Sequence, residues 1–168
     1  FDFNGTFLAD TQACLDAANT ILRRFKRPEI SIATYRRTMV FPNVDFYVSH
    51  GCTRQEILDC AEEIAETWHS VYEARVEQCR TRRGGREVLK ILQDEDIARI
   101  VVSNHTQQGV ERQIERLRLG PFNGVLANPD KATTMRGKVK AQRLEEYVRE
   151  KRYRASEVLV VGDAPEDI

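Results

Sequence analysis

The chain has 168 residues, 41% of them hydrophobic, with 26 Lys and Arg balanced by 26 Asp and Glu for a formal net charge of zero. That length buries one good core with room for an insertion. The charge balance argues against a general footprint for nucleic acid or an anionic membrane and favours a small-molecule partner, and no apolar run approaches the roughly 18 to 20 residues that span a bilayer.

The opening FDFNGTFLAD places Asp2 at the end of a short apolar stretch, with Gly5 and Thr6 close behind, as when a strand end hands a carboxylate into a tight turn. From Asp10 to about Arg80 the apolar residues recur at helical spacing: Ala13, Ala17, Ile21 and Phe25 form one stripe, and Ile57, Ala61, Ile64, Trp68 and Tyr72 form another. Thr53 followed by Glu56 is a capping box that predicts the start of the second long helix. SIATYRRTMV predicts a shorter helix with Ser31 as its N-cap. FPNVDFYVSHG, punctuated by Pro and Gly, is expected to be a connecting loop. Cys14, Cys52, Cys60 and Cys79 include no CxxC pair and are read as reduced, half-buried thiols, which places the chain by default in the cytoplasm.

After Gly84 and Gly85 the pattern becomes alternation. A helix over about 85–93 leads into the apolar run ARIVVSN, a second helix covers about 106–119, GVLAN follows, then a helix over about 138–151 and the strand EVLVVGD. Such alternation, with runs apolar on both faces, predicts a parallel sheet covered by helices. FDF would be a strand of the same sheet. The expected architecture is α/β, a Rossmann-like parallel sheet core made of 1–9 and 81–168 with an all-helical cap, 10–80, inserted into it. Phe1 is not an initiator and the chain ends just after GDAPED, so a complete version is expected to extend both ways.

Ligands of open α/β sheets sit beyond the carboxyl ends of the strands. FDF delivers Asp2, IVV delivers Ser103 and Asn104, and VLVV delivers Gly162, Asp163 and, four residues on, Asp167. Three carboxylates at one sheet edge repel unless a cation sits among them, and hard oxygen ligands favour Mg²⁺. Gly5 permits the turn, and backbone N–H groups there, with Thr6, are candidates to hold anionic oxygens.

In this order, DFNGT, a helical insertion, VVSN, a lysine and VVGDAPED, the chain resembles the haloacid dehalogenase superfamily of phosphohydrolases, in the branch with a helical cap after the first strand. The resemblance implies that Asp2 is a nucleophile forming an aspartyl phosphate and that Ser103 hydrogen-bonds a phosphoryl oxygen. It implies further that Asp163 and Asp167 hold Mg²⁺ with Asp2 and the backbone carbonyl of Asn4. A lysine would neutralise the transferring group. Lys138, which follows Gly137, is preferred over Lys140, and Lys131 is a remote third. The implied substrate is a small phosphate ester.

Phosphatase members carry an aspartate where this chain has Asn4, an acid that protonates the leaving alcohol and then activates water. An amide does neither, and general acid–base help is typically worth ~10² to 10⁴-fold. The resemblance therefore leaves three readings: a weakened phosphohydrolase, a hydrolase-like phosphate-binding or regulatory protein, and a phosphotransferase. The dehalogenases' tyrosine and arginine are missing from Asn4 and from Phe7, Leu8 and Ala9, and Lys26, at a helix end, is a poor Schiff-base lysine for phosphonate cleavage. In the cap, Asp45, Tyr47, His50 and Arg54 are candidate ligand contacts, His69 is expected on a helix surface, and His105 lies near the site. RTRRGGR at 80–86 is read as a basic hinge before two glycines.

Overall fold

Two short apolar runs form the regular ladder. Ile100–Thr106 (β1) and Gly124–Asn128 (β2) pair in parallel, with Ile100 opposite Gly124 and Val102 opposite Leu126. Val101, Val102 and Ser103 are all buried, as a strand covered on both faces requires. The computed structural model describes residues 1–131 and 139–164. The chain divides into two compact units, one of Phe1–Ala9, Arg80–Pro129 and Lys138–Ile168 and the other of Asp10–Cys79 and Asp130–Gly137.

In the first unit, the opening residues lie along β1. The Phe1 nitrogen donates to the Ile100 carbonyl (2.9 Å) and Val102 N–H to the Phe1 carbonyl (2.8 Å), the pattern of a parallel pair. On the other side Asp2 N–H donates to the Val161 carbonyl (2.8 Å). The order across the sheet is therefore β2, β1, the opening segment and the segment through Val161. The last two were expected as strands and run instead as chain joined by backbone hydrogen bonds, the opening segment to β1 and the Val161 segment to the opening segment. Among the described residues they share only isolated ladder bonds, and Leu159 is 83% exposed, so neither is held on both sides along its length.

Helices cover this sheet. Gly85–Asp94 (α6) begins after Gly84, whose φ of 85° suits glycine. Gln107–Arg116 (α7) is capped by Thr106, whose hydroxyl accepts from Gly109 N–H (3.2 Å). Val139–Glu150 (α8) precedes the run to Val161. Arg86, expected within a basic hinge, donates to the carbonyls of Leu117 and Arg118 (3.3 Å to the latter) and so satisfies acceptors at the end of α7.

The second unit is helical: Thr11–Arg24 (α1), Ile32–Thr38 (α2), Asn43–Ser49 (α3), Arg54–Asp59 (α4) and Ala61–Val76 (α5). Ser31 caps α2 by accepting from Thr34 N–H (3.2 Å), and the Thr53–Glu56 box closes in both directions. The second stripe is broken at Cys60 into α4 and α5, and Ile57 and Ile64 are both buried in the same core across the break. The segment expected as a loop forms α3. Pro42 suits the position before a first turn, and burial of Val44, Phe46 and Tyr47 stabilises a helix that local composition does not announce. Tyr47 is consequently a core residue of this unit and not an exposed ligand contact, and burial raises its phenol pKa. Asp45 pairs with Arg54, and His50 Nε2 lies 2.9 Å from Thr38 Oγ1. His69, expected on the helix surface, is buried beside Trp68, which stacks on Tyr72. None of the four cysteines is in a disulfide.

Buried Asp10 accepts a hydrogen bond from Tyr72 Oη (2.7 Å). Tyr72→Phe deletes a hydrogen bond to a buried carboxylate, leaving the weaker Cys14 Sγ contact at 3.8 Å on the same oxygen, and is expected to destabilise this unit by about 1.5 to 3 kcal/mol. A lower urea midpoint at an unchanged m-value checks this.

Candidate active site

The carboxyl end of β1 carries an irregularity. Register is regular to Val102, shifts before Thr106, and resumes with Thr106 opposite Asn128. Within the shift Ser103 Oγ accepts from His105 N–H (3.0 Å), so the side chain takes over a role that a neighbouring strand would fill. The same hydroxyl donates to Asn4 Oδ1 (3.0 Å), linking β1 to the turn after the opening segment. His105 is itself buried, and Gly109, without a Cβ, leaves room for its ring over the first turn of α7.

The turn is closed by Phe7 N–H and Leu8 N–H donating to the Phe3 carbonyl (3.0 Å each) and by Gly5 N–H donating to the Leu8 carbonyl (3.0 Å). Gly5 has φ 84°, and a Cβ there would lie 2.6 Å from Asp163 Oδ1. Both conformation and space therefore demand glycine. Asp163 Oδ1 accepts from Thr6 Oγ1 (3.2 Å), and Arg82, read from the sequence as part of the basic hinge run 80–86, donates to the Gly5 carbonyl. Parallel alignment thus brings the turn of residues 4–6, Ser103 and Asp163 together at one sheet edge.

Asp2 is 7% exposed, and its Oδ1 lies 2.6 Å from Lys140 Nζ. Lys140 stands in the first turn of α8, so the lysine found on the carboxylate is the second choice of the sequence reading. Lys138 and Asp167 fall outside the described residues, and Lys131 pairs with Glu66 in the other unit (3.2 Å).

Two further residues complete the edge. Asn128 at the end of β2 donates to the Asn104 carbonyl (2.5 Å), and Arg143 of α8 donates to Asn128 Oδ1 (2.5 Å) and to the Ser103 carbonyl (2.7 Å). Partial burial lowers the Arg143 pKa without threatening its charge. The strand-end rule applied to GVLAN picks out Asn128, and Arg143 follows Lys140 by one helical turn, so both carried a readable signal.

Asp2 and Asp163 offer hard carboxylate oxygens from adjacent segments, and Asn4 Oδ1 is engaged by Ser103, which leaves a metal contact at position 4 to the backbone carbonyl. That donor chemistry fits Mg²⁺ and does not suit a soft metal. Among the described residues no helix is long and apolar enough to cross a membrane.

A family model for haloacid dehalogenase-like hydrolases matches residues 1–168. Comparison with curated proteins gives no match. Among solved structures, a haloacid dehalogenase-like family hydrolase from Streptococcus pneumoniae superposes at TM-score 0.79 with 15% identity, over 99% of this chain and 75% of that one. A candidate haloacid dehalogenase-like hydrolase from Bacteroides fragilis gives 0.82 with 15% identity, over 99% and 78%. A candidate phosphoglycolate phosphatase from Lactobacillus delbrueckii subsp. bulgaricus gives 0.62 with 17% identity, over 90% and 72%. At these identities the structures speak for the fold, an α/β Rossmann-like core with a helical cap, and the family model carries the assignment: the chain belongs to the haloacid dehalogenase-like hydrolases.

Proposed function

We propose that the protein is a Mg²⁺-dependent phosphohydrolase of small phosphate esters, working through an aspartyl phosphate on Asp2. The observation that carries this reading is the buried Asp2 carboxylate at a sheet edge with Lys140 Nζ 2.6 Å away. A carboxylate oxygen attacks phosphorus, the bond to the leaving oxygen breaks, and water then attacks the phosphoryl group to release phosphate and regenerate Asp2. Lys140 offsets the charge of the transferring group, with Lys138 as the alternative from the sequence. The Asn104 backbone and the Thr6 N–H orient phosphoryl oxygens, joined by the Ser103 hydroxyl when it turns from Asn4 Oδ1 to the ligand. Mg²⁺, when bound by Asp2, the Asn4 carbonyl, Asp163 and Asp167, would let an anionic carboxylate approach an anionic phosphate.

The candidate phosphoglycolate phosphatase among the structural relatives supports the substrate class without naming the ester. A second reading, a phosphate-binding protein with weak turnover, is favoured by Asn4, whose side-chain oxygen is held by Ser103 and which carries no carboxyl proton to donate.

Hydrolysis of a phosphate ester panel with and without Mg²⁺ tests the proposal. Turnover should fall at least about 10²-fold after chelation, since the cation contributes several kcal/mol at the reacting charges. Acid-quenched protein should retain label from a labelled phosphoryl donor. Turnover indifferent to chelation, with no retained label, sinks the reading.

A further inference from the structure

Lys140 poses a mechanical problem. Its four-carbon stem carries about 2 kcal/mol of rotamer freedom, and a cation in the first turn of a helix opposes the helix dipole. An ammonium held 2.6 Å from Asp2 therefore needs its backbone fixed against the sheet. Arg143 lies three residues on, on the same face of α8. Its Nη1 reaches Asn128 Oδ1 at the end of β2 and its Nη2 reaches the Ser103 carbonyl in the shifted part of β1. Asn128, itself buried, passes the link on to the Asn104 carbonyl.

We propose that Arg143, with Asn128, is a positioning bracket that ties α8 to the carboxyl ends of both strands and so sets the Lys140 ammonium and the Ser103 hydroxyl at a fixed separation for a bound phosphoryl group. The inference rests on the proposed phosphoryl role of Lys140 and Ser103. Two donors in one rigid plane, accepted by groups on two strands, restrain rotation as well as distance. A lysine offers the charge with all its donors on one nitrogen, and so lacks the planar, spaced pair that meets acceptors on two strands at once. The bracket also uses the Ser103 carbonyl while the hydroxyl of that residue addresses Asn4, so one residue transmits position to both sides of the site.

Calorimetric titration of the whole chain with inorganic phosphate in Mg²⁺ buffer, for Arg143→Lys, Arg143→Met, Lys140→Met and the double variant Arg143→Met/Lys140→Met, tests this. Outer-sphere partners of this kind typically contribute about 10- to 100-fold, and both Arg143 variants should lose phosphate affinity on that scale, Lys failing to rescue. The double variant should lose less than the product of the two single losses, because Arg143 acts in part through Lys140 and in part through Ser103. Full affinity in Arg143→Lys, or losses that multiply in the double variant, overturns the bracket. Turnover of Asp2→Ala reads the phosphoenzyme separately: coupling in phosphate affinity together with surviving Asp2→Ala hydrolysis keeps the bracket and removes the phosphohydrolase reading.

Discussion

Asp2→Ala is expected to lower Mg²⁺-dependent ester hydrolysis by roughly 10⁴ to 10⁶-fold, the scale on which removing a covalent nucleophile acts. Among the described residues Asp163 is not free to substitute by a small shift: it is engaged by Thr6 and packed against Gly5, where a Cβ would meet it. The variant also removes the acceptor now 2.6 Å from Lys140, so the site loses the proposed nucleophile and its preset cation geometry together. Single-turnover labelling followed by acid quench reads the effect directly. A variant that keeps a tenth of the activity, or keeps the label, would show that the phosphoryl group goes elsewhere.

Asn4→Asp should act in the opposite direction. The amide oxygen already accepts from Ser103 Oγ at 3.0 Å, and a carboxyl group of the same shape retains that bond while replacing the NH₂ with an oxygen able to carry a proton. General acid–base catalysis then predicts a gain of ~10² to 10⁴-fold for alkyl phosphates, whose leaving group needs the proton. p-Nitrophenyl phosphate, with a far better leaving group, should gain much less. A steady-state comparison of the two substrate types on both forms separates this from a general improvement. If neither form hydrolyses any ester, the phosphate-binding reading becomes the better account.

Local chemistry accounts for much of what was legible. Ser31 and the Thr53–Glu56 box announced helix starts because a cap is made by residues three apart in sequence. Gly5 announced its turn because positive φ is cheap for glycine alone. Arg143 and Asn128 were passed over, although helical spacing and strand-end position marked both. Tyr47 and His69 were misplaced because burial depends on which face of a short helix meets the rest of its unit, and α3 is stabilised mainly by that packing.

The sequence by itself determined the family, the alternation that makes a parallel sheet, and the list of polar residues at its strand ends, since all three follow from residue type and order along the chain. Tertiary structure decided which lysine of the described residues stands on Asp2, that Ser103 holds the Asn4 amide, and that Arg143 joins α8 to both strands. Those choices depend on the register between segments about a hundred residues apart. Each is set by a few hydrogen bonds, such as that from Val102 to Phe1, that no local pattern encodes.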